Sequence, residues 1–212
     1  MGMSRSYGQY CGLARALDVV GDRWNLLIVR QLLIAPARYR ELLDGLPGVA
    51  TNLLTDRLRE LETAGVIERR LAEDDNAVRY ALTTWGAGLR EPIEGLIRWS
   101  TPLMVCGPGE DHFRAEWLVL PLRALLDGRP PPRRSVSVGI AVEDRLFQLR
   151  STRSGIEVHP HEGGELDAVL RADGAVVLGL AAGVLDLDGA PRPVEIEGDE
   201  AAVRAIFDAP AP

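Results

Sequence analysis

"TNLLTDRLRELETAG", residues 51–65, is the stretch on which the reading of this chain turns. Advancing about 100° per residue, as an α-helix does, places Leu53, Leu54, Leu58, Leu61 and Ala64 in one arc. Asn52, Thr55, Asp56, Arg59 and Thr63 fall opposite. Thr51 is the expected N-cap, and Gly65 suits the left-handed residue just past the end. Such a helix buries one side only. Alone, its other side would be a solvated surface, so the neighbouring elements must decide what it is for.

Upstream, "GLARALDVV" (12–20) has helical spacing, with Leu13, Leu17 and Val20 on one face. Asp22 is placed to cap a helix over 23–35, which is apolar almost all round and therefore central. Pro36 stops it, residues 37–46 read as a short third helix, and "PGVA" (47–50) is a turn. Downstream the period changes from 3.6 to 2. "VIERRLA" (66–72) and "VRYALT" (78–83) read as two strands joined by the polar "EDDNA". Residues 85–104 are a fifth helical stretch, starting near residue 91 or kinked at Pro92. Three helices, a turn, a helix, a hairpin and a helix make a winged helix-turn-helix.

In that setting residues 51–65 are the recognition helix, whose N-terminal turn enters a DNA major groove. Asn and Arg can pair bidentately with adenine and guanine edges, and Thr can bond a phosphate or meet a thymine methyl. The candidate DNA contacts are therefore Thr51, Asn52, Thr55, Asp56 and Arg59. Arg38 and Arg40, at the start of the third helix, are candidates for phosphate. So are Arg69, Arg70 and Arg79 on the hairpin. Glu73, Asp74 and Asp75 at the hairpin tip oppose phosphate. Arg57 lies on the flank of the apolar arc, which favours a structural ion pair under the hairpin over a base contact.

Charge is compatible with this only locally. The net charge is −7, and all 24 basic residues are Arg. Arg and acidic residues balance over 1–105, so the whole excess lies in 106–212. Two cysteines, Cys11 and Cys106, argue against a disulfide framework and for a reduced, cytoplasmic setting. No apolar run is long enough for a membrane span, and the N-terminus lacks the pattern of a secretory signal.

Residues 106–212 read as a second domain of α+β type. A helix over 113–128 and the Pro-rich "RPPPRR" precede strands at 135–143, 145–152, 155–160 and 165–172. A helix over 173–185, a strand over 193–198 and a closing helix over 199–209 follow, with Asp199 near the start of the last. No nucleophile elbow, P-loop, dinucleotide glycine fingerprint or HExxH occurs, so no enzyme and no cofactor is expected. His159, His161, Glu162 and Glu165 cluster in sequence, but Pro160 interrupts the strand and no third strong ligand follows, so no metal is expected either.

The segments "CGLARALDVVGDRWNLLIVRQLL", "RYRELLDGLPGVATNLLTDRLRELETAGVIERR" and "VRYALTTWGAGL" resemble the HxlR-type winged-helix transcriptional regulators over about residues 7–104. That resemblance implies a homodimer built by the N-terminal helix and residues 86–104. It also implies two recognition helices reading a pseudo-palindromic operator in double-stranded DNA. The wing departs from the family, which often has a proline where this chain has three acids. Many members carry a cysteine at the position of Cys11, and in some that thiol senses oxidants. Such chemistry needs exposure and a lowered pKa, to which Arg15 can contribute.

The second half is similar, more weakly, to sterol-carrier-protein-like domains. This resemblance rests on "AEWLVLPLRALLDG", "LDAVLRADGAVVLGLAAGVLDL" and "PVEIEGDEAAVRAIF". It implies an apolar pocket lined by Trp117, Leu118, Leu122, Phe147, Leu149, Val177, Leu180 and Phe207, residues that would equally serve as an ordinary core. The expectation is thus a two-domain chain, 1–105 and 106–212, acting as a DNA-binding repressor, with a small hydrophobic ligand implied for the second domain. The alternatives are a hydrophobe carrier whose winged helix mainly dimerises, and a redox-responsive regulator acting through Cys11.

Overall fold

The computed structural model describes residues 6–71, 77–104, 107–130, 132, 134–190 and 194–208. The chain divides into two compact units, residues 1–93 and 94–212, the division falling inside a helix rather than at the expected 105/106 boundary.

In the first unit, α1 spans Gly12–Val20, α2 Asn25–Ile34, α3 Tyr39–Asp44 and α4 Thr51–Thr63. Strands β1 (Ile67–Leu71) and β2 (Val78–Leu82) pair antiparallel, Arg69 opposite Tyr80 and Arg70 opposite Arg79. The acidic tip lies outside the described residues. Ala37 exchanges two backbone hydrogen bonds with Tyr80, so the segment after α2 bridges to the hairpin. The core gathers the apolar arc of α4 (Leu54, Leu58, Leu61) with Ile28, Val29 and Leu32 of α2 and Leu42 of α3, all buried. Withdrawing such side chains from water favours the fold by roughly 1.5–3 kcal/mol each when burial is complete.

Two expected caps are not made. Asp22 does not cap α2, because Trp24 takes the N-cap position in the left-handed region (φ 84°) and Asp22 turns its carboxylate to Arg57. Thr51 is the first residue of α4 rather than its cap. Ala50 holds that position and has no polar side chain to offer. The other end of α4 closes as expected. Gly65 has φ +76°, Gly65 N–H donates to Glu62 O and Val66 N–H to Leu61 O, which is a Schellman closure. The fifth helical stretch is broken into α5 (Thr84–Ala87), α6 (Arg90–Ser100) and a 3-10 turn, Thr101–Met104. Thr83 caps α5 by accepting from Gly86 N–H, and Pro92 sits in the first turn of α6, where it costs no hydrogen bond.

In the second unit a 3-10 turn (Ala115–Leu118) leads into α7 (Val119–Leu126). Strands β3 (Ser137–Val142), β4 (Arg145–Thr152), β5 (Gly155–Pro160), β6 (Ala168–Arg171) and β7 (Glu195–Gly198) form one sheet in the order β5-β4-β3-β6-β7. Within it β3 and β6 pair parallel, and the other pairs are antiparallel. Helices α8 (Gly174–Ala181) and α9 (Glu200–Phe207) complete the unit. Register puts Val138, Ile140, Phe147, Leu149, Ala168 and Leu170 on one face, all buried. Asp199 caps α9, accepting from Ala201 N–H.

Among the described residues, no helix is long and apolar enough to cross a membrane.

Candidate nucleic-acid interface

The polar side of α4 is presented by a buried apolar base. Asn52, Asp56, Arg59 and Thr63 are exposed, whereas Leu54, Leu58 and Leu61 on the opposite side are buried. Asp56 and Arg59 lie 3.7 Å apart, a loose exposed pair that leaves the guanidinium, 69% exposed, able to reach outward. Thr51 is also exposed.

Thr55 is different. It is half-buried, and its hydroxyl donates to Thr51 O at 2.9 Å and lies 3.3 Å from the Tyr39 hydroxyl. Sequence reasoning placed it among the readers, while the fold draws it inward to α3. Arg38 and Arg40 are both exposed at the start of α3, and Arg38 N–H donates to Glu41 at 2.7 Å, which fixes that turn.

On the hairpin, Arg69 donates to Glu62 of α4 at 2.9 Å and lies 5.7 Å from the centre of the Tyr80 ring. Arg70 pairs with Glu68, and Arg79 is half-buried. Arg69 and Arg70 thus begin with acidic partners that a phosphate would have to displace. Arg57 is structural, as its place on the flank suggested, but the partners differ. With only 18% of its side chain exposed, it bridges Asp22, before α2, and Glu60 of α4 rather than reaching under the hairpin.

Cys11 precedes α1 and is exposed. The backbone amides of Ala14, and then of Leu13, hydrogen-bond the sulfur and lower its pKa. Asp18 of α1 holds the preceding segment, accepting from Tyr7 N–H at 2.8 Å and Ser6 Oγ at 2.9 Å. These bonds, the Tyr7 amide first, lower its pKa. The face of α1 that carries Leu13, Leu17 and Val20 is only partly covered. Leu13 and Leu17 are exposed, as is Tyr10 just before the helix, and Val20 is covered. In the second unit Leu96, Trp99, Leu103 and Met104 are likewise exposed, Trp99 by 76%. Cys106 lies outside the described residues.

Of the residues assigned to an apolar pocket, Leu118, Leu122, Phe147, Leu149, Val177, Leu180 and Phe207 are buried, and Trp117 is half-buried. His159 lies 3.6 Å from Glu157, and among the described residues no three His, Cys, Asp or Glu side chains converge as metal ligands. Sequence reasoning missed Arg129. Read as part of a Pro-rich linker, it is 2% exposed and donates to Ile206 O and Phe207 O at 3.1 Å each, Leu180 O at 3.4 Å and Ala181 O at 2.5 Å. It closes the C-terminal ends of α8 and α9, and burial lowers its pKa. Nothing in the local sequence distinguishes it from Arg134, five positions on, which is exposed.

A family profile described as HxlR-like helix-turn-helix matches residues 19–105. The uncharacterized HTH-type transcriptional regulator sll1512 of Synechocystis is 40% identical over 80 residues, covering 37% of this chain and 59% of that protein. The HTH-type transcriptional regulator YodB of Bacillus subtilis is 33% identical over 96 residues, covering 45% of this chain and 84% of YodB. YvaP of the same organism, an uncharacterized HTH-type transcriptional regulator, is 35% identical over 88 residues, covering 41% of this chain and 82% of its own. Among solved structures, quinone-bound YodB from B. subtilis is 30% identical, covers 42% of this chain and 96% of its own, and superposes with a TM-score of 0.38.

Proposed function

We propose, from the premise that the chain belongs to the HxlR-like helix-turn-helix family of DNA-binding transcription regulators, that α4 is its reader and that it acts as a homodimeric cytoplasmic repressor. The observation that carries this is the exposed polar row Asn52, Asp56 and Arg59 on a helix whose other side is locked into the core. Asn52 is in the first turn, where a recognition helix meets base edges. Arg59 follows two turns on and can grip a guanine edge or a phosphate. Arg38, Arg40 and the hairpin arginines would set position on the backbone. The exposed apolar side chains of α1 and of residues 96–104 support self-association, because large apolar side chains grouped on one element are seldom left to water. A twofold dimer reads a pseudo-palindrome, and a compact dimer over a promoter blocks polymerase without further contacts.

The second unit is proposed as a sterol-carrier-like sensor of a small apolar ligand, supported by the run of buried apolar side chains Val138, Ile140, Phe147, Leu149, Ala168 and Leu170 on the inner face of its sheet. Ligand would act only by favouring one arrangement of the dimer over another.

The test is fluorescence anisotropy on the duplex upstream of the protein's own gene, across a salt series, with Asn52→Ala and Arg59→Ala. Tight binding that both substitutions weaken is the expected result. Binding that is weak, insensitive to both and without an enriched site genome-wide would favour the carrier reading.

Exposure of Cys11 and the two amides that stabilise its thiolate favour a second control by oxidants. Cys11→Ser should then abolish release from DNA by diamide; an unchanged release removes the thiol from the mechanism.

A further inference from the structure

The contacts of Tyr39 point to a role that rests on α4 being the reader. We propose that Tyr39 is a positioning residue for base recognition, its hydroxyl closing with that of Thr55 on the Thr51 carbonyl to hold the first turn of α4 against α3. The Tyr39 hydroxyl donates to Thr51 O at 2.8 Å, Thr55 Oγ1 donates to the same oxygen at 2.9 Å, and the two hydroxyls are 3.3 Å apart.

Each hydroxyl carries one hydrogen. Both hydroxyls are directed within the cluster they form with Thr51 O, so they are engaged together by the fold rather than presented to a phosphate oxygen, which only accepts. Thr55 therefore serves the geometry of the helix, and reading falls to its exposed neighbours Asn52, Asp56 and Arg59. The latch sits where it is needed. Ala50 supplies no side-chain cap, so the first turn of α4 lacks the usual fastening at its entrance. Tyr39 is also the first residue of α3, beside Arg38 and Arg40, so the latch joins the exposed cations at the start of α3 to the reading turn.

Base edges demand placement within about half an ångström, whereas long arginines tolerate more on phosphates. Loosening the latch should accordingly reduce discrimination between sequences while leaving nonspecific affinity and its salt dependence alone.

The experiment is a double-mutant cycle of Tyr39→Phe and Thr55→Val in the full chain. The probes are the duplex that the wild type enriches from a random-sequence library and a scrambled duplex of equal length. Each single change should lower affinity for the enriched duplex by about fivefold to tenfold, the weight of one net hydrogen bond. The double variant should lose no more than the larger single loss, and affinity for the scrambled duplex should not change. Losses that multiply would show Thr55 touching DNA on its own and overturn the proposal. So would equal losses on both duplexes, which would mark a merely structural role, or no loss at all. Asn52→Ala, measured alongside, separates the proposal from its premise. If that change weakens binding to the enriched duplex and the latch variants do not, the latch alone fails. If Asn52→Ala is also silent, or no duplex is enriched, the reading of α4 fails with it.

Discussion

Arg129 offers the most direct test of what holds the second unit together. Its guanidinium is buried, and among the described residues its hydrogen bonds all go to backbone carbonyls at the C-terminal ends of two helices. Leu180 O also accepts from Gly183 N–H, so the carbonyls that depend most on Arg129 are those of Ala181, Ile206 and Phe207. Arg129→Met keeps much of the volume and removes every donor. Three buried acceptors left unpaired at about 1–3 kcal/mol each set the gross loss. The favourable interaction of the cation with two helix ends, typically about 0.3–1 kcal/mol apiece, is lost as well. Against this, the cation no longer has to be desolvated, a penalty of several kcal/mol per buried ion. The net expectation is a destabilisation of about 3 kcal/mol, which at roughly 4 °C per kcal/mol lowers the melting temperature of this unit by about 12 °C. Calorimetry of the full chain reads this directly, with the transition of the first unit as an internal control. Arg129→Lys, which keeps the charge but cannot span both helix ends, should fall between. If Arg129→Met melted within about 2 °C of the wild type, roughly 0.5 kcal/mol, the helix ends would not need the cation and the reasoning would be wrong.

Other outcomes follow from the first unit. Gly86→Ala would bring a Cβ within 2.0 Å of Val66 O, a clash with backbone that cannot rotate away, and should cost about 1–3 kcal/mol in chemical denaturation. Asp18 titrates below its ordinary value in the folded chain, so its contribution is present above about pH 4 and is lost as pH falls through the lowered folded pKa. The Tyr7 amide resonance should follow the Asp18 carboxyl in an NMR titration, and Asp18→Asn should abolish that coupling. Glu62→Gln releases Arg69 from its 2.9 Å pair and should strengthen binding to any duplex by about twofold to threefold at low salt, read by anisotropy. An unchanged affinity would mean that Arg69 does not meet phosphate.

Much of the first unit was legible because its signals are local. The leucine arc of residues 51–65, Pro36 after the second helix and Gly65 after the fourth each act within a turn or two of the chain, and α4 and the hairpin form where those signals place them. The polar row Asn52, Asp56 and Arg59 was visible for the same reason, since it is the complement of the apolar arc. The misplaced caps show the limit. Asp22 and Thr51 are sound caps by residue type, yet Asp22 is taken by Arg57, 35 positions away, and Ala50 occupies the cap because the turn delivers α4 one residue earlier.

Periodicity, punctuated by breakers such as Pro36 and Gly65, therefore determined the winged helix and the alternating strands of the second half, because amphipathic elements must bury one face wherever they end up. It could not determine which apolar face stays uncovered. Leu13 and Leu17 carry the same helical signature as Val20, and only the assembled unit shows that Val20 turns inward while they do not. Nor could it assign side chains whose roles depend on distant backbone. Arg129 meets a carbonyl 52 residues away, and the Tyr39 hydroxyl meets one 12 residues on. Hydrogen bonding to main chain leaves no mark in residue type, since every residue offers the same carbonyl. Such contacts are decided by where the fold brings the backbone, and only the tertiary structure places it.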